Sequence, residues 1–450
     1  MIAPMSRRSL LQKTAVAGVA AGFTIVPRHV LGGVGYVAPS EKMNIAGIGI
    51  GGMGAENLKN LKSENIVALC DVDPTYAAPT IQRYSSARFY TDYRAMLDRR
   101  KDIDGVVIAT PDHTHAVITM AAIRAGKHVY CQKPLTHDVH EARMLAKAAS
   151  GSKVVTQMGI QGHSGEGIRQ LSEWIWAGLI GEVREVDAWC SLTYYPWGHA
   201  YWSSKWSERP KEEPPVPKAL DWDLWIGPAP LRPYHRAYHP ATWRCWWDFG
   251  CGMMGDRGVH TLDPIVSALK LTAPTSVDAT CCGSTKEVHP LAAVVTFQFP
   301  ARGCLPPVKL TWYEGLEAPR PPELEDGAKM PAEGGAIIKG TKGTIMSGLY
   351  GFSSPQLLPA CRMKQVELPK PVLPRVQGSH EMDWGRACKS GGRAGADFSY
   401  SGPLTETCLL GNIAKRVESR IVWDADNLRI TNNQDANKYV RAEYRQGWSL

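Results

Sequence analysis

Two residues in the stretch Asp248–His260 (DFGCGMMGDRGVH) have types and spacing suited to proton transfer: Asp256 and His260, four apart. Side chains at that separation share one face of a helix. A neutral imidazole there could accept the proton of a substrate hydroxyl, while the carboxylate holds substrate or steadies the imidazolium. The same stretch carries Gly250, Gly252, Gly255 and Gly258, and a glycine-rich loop is also the mark of a phosphate cradle. Taken alone, an Asp/His pair is more often structural than catalytic.

A second glycine-rich turn competes for the cradle. Residues 47–54 read GIGIGGMG, and two frames of this turn satisfy G-x-G-x-x-G. The frame Gly49, Gly51, Gly54 starts where an apolar run ends and finishes where a helical stretch begins. The first glycine permits a tight turn, the second lets backbone approach a pyrophosphate, and the third lets helix pack on strand. The next apolar run ends in Asp71 (LCDVD), where an acid would grip a ribose 2′-hydroxyl and repel a 2′-phosphate. NAD is therefore favoured over NADP. The competing reading is a glycine-rich turn of some other α/β fold with a surface aspartate.

The elements that must position these residues follow from periodicity. Short Val/Ile-rich runs at 43–48, 66–70, 104–109, 128–131 and 153–156 alternate with helical stretches at 55–62, 92–100, 114–125 and 138–149. That alternation predicts a doubly wound parallel sheet over residues 41–158. From 159 to 450 the rhythm changes to an α+β pattern with a mainly antiparallel sheet. Its strands are expected at 182–194, 276–282, 291–299, 307–313 and 335–346, and its helices at 164–177, 380–389, 403–418 and 433–443. A Trp-rich excursion spans 196–247.

Residues 1–40 differ from the rest. Ser6–Lys13 (SRRSLLQK) is a twin-arginine pattern, and the apolar run 14–26 is too short to span a bilayer comfortably. It reads as an export signal handled by the twin-arginine machinery, directing the chain to the periplasm or outside a bacterium, with no stable membrane insertion. Arg7, Arg8, Lys13 and Arg28 carry half of the net charge of +8. What remains is too evenly spread to argue for nucleic acid. Eleven cysteines without a C-x-x-C pair support neither a disulfide scaffold nor a zinc knuckle, and no metal site is expected.

Two further segments carry a family resemblance. Ala109–His115 (ATPDHTH) and Ala125–Leu135 (AGKHVYCQKPL), with the glycine turn, resemble the Gfo/Idh/MocA oxidoreductases and their T-P-x-x-x-H, A-G-K-H-V and E-K-P motifs. Tyr444–Trp448 and Leu220–Pro228 resemble a secreted subgroup. The resemblance implies a Rossmann domain followed by an open, mainly antiparallel sheet. It implies Lys133 beside the nicotinamide ribose, where its ammonium would stabilise a developing alkoxide. With Lys133 so placed, Asp256 and His260 become the catalytic pair. Thr110, Pro111, His115, Gln132, Lys133 and Gln161 join Gly49, Gly51, Gly54 and Asp71 at the cofactor. Gln132 stands where the family has Glu, so the lysine lacks an adjacent negative charge. A homodimer or homotetramer is implied as well.

Eight of the 15 tryptophans lie between 197 and 247, and indole faces suit the C–H faces of sugar rings. Trp222 and Trp225 read as core. Trp197, Trp243, Arg244 and His163 are candidates for a substrate pocket. The expected activity is hydride transfer between a sugar, glycoside or cyclitol hydroxyl and tightly held NAD. Two alternatives remain: an NAD-dependent glycosidase acting by transient oxidation, elimination and re-reduction, and a non-catalytic NAD-bound binding protein.

Overall fold

A computed structural model of the chain describes Ala38 and residues 41–194, 204–348 and 354–450. The leader read at 1–40 falls almost wholly outside these residues, as does Trp197. Asn44–Leu450 form one compact unit.

The strand–helix alternation builds a six-stranded parallel sheet. Its strands are β1 (Asn44–Ile48), β2 (Asn65–Cys70), β3 (Arg88–Tyr90), β4 (Gly105–Ile108), β5 (His128–Gln132) and β6 (Thr156–Gly159), in the order β3-β2-β1-β4-β5-β6. The near-continuous Val/Ile runs have a simple cause: Ile45, Ala46, Val106, Val107 and Val129 are fully buried, with both faces of the sheet covered. Order and parallel pairing are those of a Rossmann sheet, whose ligands bind at the carboxyl ends of the strands where the order reverses. Here that point lies between β1 and β4, which are paired directly.

Among the described residues the second sheet has nine strands: β7 (Val183–Cys190), β8 (Ser276–Cys282), β9 (Ala292–Phe299), β10 (Val308–Glu314), β11 (Gly334–Gly340), β12 (Gly343–Gly348), β13 (Gln356–Leu358), β14 (Ile421–Asp424) and β15 (Arg429–Ile430). The order is β13-β12-β11-β7-β10-β9-β8-β14-β15. Every pairing is antiparallel except β7 with β10. The fold class is thus a parallel Rossmann sheet followed by an α+β domain with a mixed, mostly antiparallel sheet.

Several boundaries differ from the sequence expectation. The run expected as one strand over 335–346 is the hairpin β11–β12, turning at Thr341 and Lys342. The strand expected at 153–156 begins where that run ends, at Thr156. A short 3₁₀ turn, Gln434–Tyr439, replaces the helix expected at 433–443. The helix read from Pro403 starts five residues earlier, at Phe398, because the Asp397 carboxylate caps the backbone N–H groups of Ser399 and Tyr400. Pro403 then lies inside the helix. The lost hydrogen bond is tolerated because Phe398–Val417 packs on the helix Val139–Ser150 and on β8 and β9, joining the two sheets. At its far end Lys415 is fully buried and pairs with Glu314 of β10, Nζ to Oε 2.8 and 2.9 Å.

Candidate active site

The turn after β1 uses the frame Gly49, Gly51, Gly54. Gly49 has φ +76°, open to glycine but strained for other residues. A Cβ on Gly54 would fall on the Gly49 carbonyl oxygen, and one on Gly51 would enter the Tyr76 ring. In the rival frame, a Cβ on Gly52 would meet only the Tyr76 hydroxyl, at 3.5 Å. The helix Met53–Asn60 follows at once and aims its N-terminus into the cleft, the arrangement that favours a phosphate. Asp71 lies at the end of β2 and accepts from Ile50 N (2.8 Å) and Asp73 N (3.0 Å). Burial raises its pKa to about 6 against those hydrogen bonds. A cradle that side chains would fill, with a carboxylate at the neighbouring strand end, fits the pyrophosphate and ribose of a dinucleotide.

From this turn a cleft runs to the second domain. Its wall includes Gly49, Gly51, Asp71, Thr110, Pro111, His115, Gln132 and Lys133 from the Rossmann side, and Trp243, Arg244 and Asp256 from the other. Gly54 lies beneath it. Gln161, His163 and His260 are not on this wall. Gln161 opens the 3₁₀ turn after β6, and its buried side-chain amide neighbours the Tyr130 hydroxyl. His163 pairs its Nδ1 with Asp263 Oδ1 at 2.8 Å, and Tyr400 donates to the same oxygen at 2.6 Å. The structure therefore places His163 in a buried polar cluster behind the cleft rather than on its face.

His115 lines the cleft with both ring nitrogens occupied. Nδ1 faces Pro134 O and Nε2 faces Thr110 O, each at 2.8 Å. Burial opposes its charge, but Cys131 and the two carbonyls outweigh burial and raise its pKa. Its work is to tie the loop after β4 to the loop after β5, fixing Lys133. Gln132 is buried and donates from Nε2 to Asn57 Oδ1 at 2.9 Å; Asn57 donates in turn to Glu381 Oε1 at 2.7 Å. A carboxylate is thus present two hydrogen bonds from Gln132, the position where the family has its own acid.

Lys133 and Asp256 meet across the cleft. Lys133 Nζ bonds the Asp256 carboxylate and, at 3.2 Å, the Asp256 carbonyl oxygen. Tyr194 donates to the other carboxylate oxygen at 2.7 Å, and Arg244 Nε stands 3.8 Å from it. Burial would raise the pKa of Asp256, but Lys133, Arg244 and Arg257 hold it far below the carboxylate range, so it is ionised. Asp256 belongs to a π-helical turn, Met254–Gly258, and the α-helix Val259–Leu269 continues from it. Such turns recur at functional sites because they re-aim one side chain against the helix. His260 is buried behind Asp256, its pKa pushed down to about 3 by burial and then by the Lys133 charge. It is a neutral base at every physiological pH.

Three residues at the site escaped sequence reasoning. Asp112, quoted within ATPDHTH, lies on the cleft wall and accepts from Cys251 N at 2.9 Å. Burial lifts its pKa to about 7, more than Lys133 and Arg244 lower it. Tyr194 is the hydroxyl partner of Asp256. Asp73, the second acid of LCDVD, binds His239 Nε2 at 2.8 Å. The sequence signal for Asp112 and Asp73 was an acid within a motif already chosen, and for Tyr194 its place beside the Trp-rich excursion. Trp243 lines the cleft with the Arg244 guanidinium 4.3 Å over its ring. Trp222 and Trp225 stack at 4.5 Å and are buried in the core, and Trp225 also reaches the cleft wall.

Comparison with known proteins gives the same architecture. Residues 43–160 match the model of the oxidoreductase family's NAD-binding Rossmann fold, and residues 165–304 match the model of that family's C-terminal alpha/beta domain. An inositol 2-dehydrogenase of Salmonella typhimurium is 30% identical over 141 residues, 30% of this chain and 42% of that protein. The match thus covers less than half of that relative. Among solved structures, the WlbA dehydrogenase of Bordetella pertussis in complex with NADH and UDP-GlcNAcA aligns with TM-score 0.59 and 16% identity, over 86% of this chain and all of that one. An inositol dehydrogenase homolog of Azotobacter vinelandii, complexed with NADH and myo-inositol, aligns with TM-score 0.56 and 17% identity, over 85% and 98% of the two chains. The two family models together match more than half of the sequence, and this chain belongs to the Gfo/Idh/MocA oxidoreductase family.

Proposed function

We propose that this protein oxidises a secondary hydroxyl of a sugar, glycoside or cyclitol. NAD, held by Gly49, Gly51, Gly54 and Asp71, would supply the hydride acceptor. The observation that carries the reading is the convergence on one cleft of the glycine turn, the Lys133 ammonium and the Asp256 carboxylate, with His260 buried one helical turn beyond Asp256. Lys133 is positioned to stabilise the oxygen of the reacting hydroxyl as it gains negative charge. His260 is neutral and so can take the hydroxyl proton. Asp256 holds Lys133 and Tyr194 in place through its two carboxylate oxygens. Trp243 offers the substrate an indole with Arg244 stacked on it. Relatives named for inositol, and a neighbour holding UDP-GlcNAcA, support a polyhydroxylated ring as substrate.

The test follows two signals on purified protein across a panel of sugars, cyclitols and glycosides: absorbance of NADH and release of aglycone. Net NADH with a free sugar or cyclitol is the expected result. Aglycone release without net NADH would overturn this reading in favour of redox-neutral cleavage, and silence on both would favour a binding protein. Residues 6–26 support a companion proposal, export by the twin-arginine route with the cofactor already bound. A reporter fused behind residues 1–40 would reach the periplasm, and Arg7→Lys/Arg8→Lys would stop it.

A further inference from the structure

The last residues of the chain return to the cofactor cleft. Asp138 Oδ2 accepts from Ala442 N at 2.9 Å, and the Tyr444 hydroxyl donates to Glu141; both acids sit in the first turn of the helix Val139–Ser150 or at its cap. Arg445 is fastened to the excursion of the second domain. Its Nε bonds Gly227 O at 2.5 Å, its Nη1 meets Asp223 Oδ1 at 2.8 Å, and its backbone N–H donates to Pro228 O at 3.1 Å. Gly447, at φ +90°, then turns the chain so that Trp448 N donates back to Arg445 O at 3.2 Å. The turn puts the Trp448 indole on the wall of the cleft with Asp71, Tyr93 and Leu224. Arg94 stands 5.0 Å over the indole ring, and Arg124 Nη2 holds Leu450 O at 3.1 Å.

This is the Asp71 end of the cleft, where a Rossmann domain holds the adenosine half of its dinucleotide. Trp448 packs at the margin of the main hydrophobic core and also lines the cleft. The residue is only half-buried, and its surroundings are fixed by hydrogen bonds of its neighbours. We propose that Trp448 is a cofactor-binding residue. Its indole walls the adenine, and the fastened tail Ala442–Leu450 seals that end of the cleft and slows release of the dinucleotide. For a redox protein that keeps one cofactor through successive turnovers, such a seal is the physical means of retention.

The experiment uses the full chain and no sugar substrate, so its outcome is independent of the proposed oxidation. Dissociation of NAD is timed for the parent, Trp448→Ala and Trp448→Phe. Affinities are measured for ADP-ribose, the adenine half, and for nicotinamide mononucleotide, the other half. An aromatic ring on a base makes a difference of roughly ten- to a hundred-fold. Trp448→Ala should therefore release NAD and weaken ADP-ribose by about that factor, with nicotinamide mononucleotide unchanged and most of the effect restored in Trp448→Phe. NAD dissociation and ADP-ribose affinity within two-fold of the parent would overturn the proposal. So would an equal loss for both halves. Should Trp448→Ala not fold, Arg445→Ala keeps the indole but unfastens it, and the same comparison decides.

Discussion

Lys133, just past the end of β5, and Asp256, on the turn before the helix Val259–Leu269, form an ion pair between residues 123 apart in the sequence. Both side chains are largely withdrawn from water, so the charges interact strongly and neither can be removed quietly. Lys133→Met should lower kcat by about 10²–10³-fold, the usual loss when one stabiliser of a developing oxyanion is removed. Equilibrium NAD binding should persist, and single-turnover hydride transfer with NAD binding measured in parallel checks both halves of the expectation.

His260→Ala should lower kcat by about 10²–10⁴-fold, the range for a general base, and leave NAD bound. Because the imidazole is already neutral above about pH 3, His260 should contribute no acid limb near pH 6.5 to kcat/KM, and any limb there from Asp71 or Asp112 should survive in the alanine variant. A limb at pH 6.5 that disappears in the alanine variant would refute the environment described for His260.

Asp112 makes stability depend on pH. Its folded pKa of about 7 lies above the ordinary 3.8, so the folded chain binds the extra proton, and the stability this contributes is lost as pH rises through 7. Between pH 5 and 8 the loss amounts to about 2–3 kcal/mol. Urea unfolding at the two pH values should show it in the parent. Asp112→Asn, which keeps an acceptor for Cys251 N, should flatten the slope by that amount.

Gly54→Ala and Gly52→Ala separate the two frames of the glycine turn. The first drives a methyl group into the Gly49 carbonyl; the second has room. Gly54→Ala should cost about 1–3 kcal/mol of stability and weaken NAD at least ten-fold, while Gly52→Ala stays close to the parent. Calorimetric titration with NAD and thermal unfolding measure the pair.

Lys415 and Glu314 are a buried pair far from the cleft. Lys415→Met alone should destabilise the protein by about 3–5 kcal/mol, because Glu314 is left charged and buried. Lys415→Met/Glu314→Leu should recover much of that loss, apart from the acceptor Glu314 gives to Trp312 Nε1 at 3.1 Å. Denaturant midpoints of the three proteins decide it.

What the sequence determined by itself is local. Val/Ile runs alternating with helical stretches dictate a parallel sheet, because only strands buried on both faces carry such runs. The glycine turn and Asp71 follow from the short-range geometry of one βα unit. Periodicity also carried most of the second sheet, but it failed where a long-range partner overrode a local signal. Pro403 reads as a helix start until Asp397 caps an earlier turn and two sheets hold the helix between them. The structure adds the physical reason for that frame, the clash of a side chain at Gly54 with the Gly49 carbonyl in the closed turn. It alone moved His163 off the cleft, engaged both nitrogens of His115, brought Asp112 and Tyr194 to the site, and returned Trp448 to the cofactor end. Those relations join segments up to hundreds of residues apart, and burial and charge at such a meeting point arise from the fold rather than from either segment.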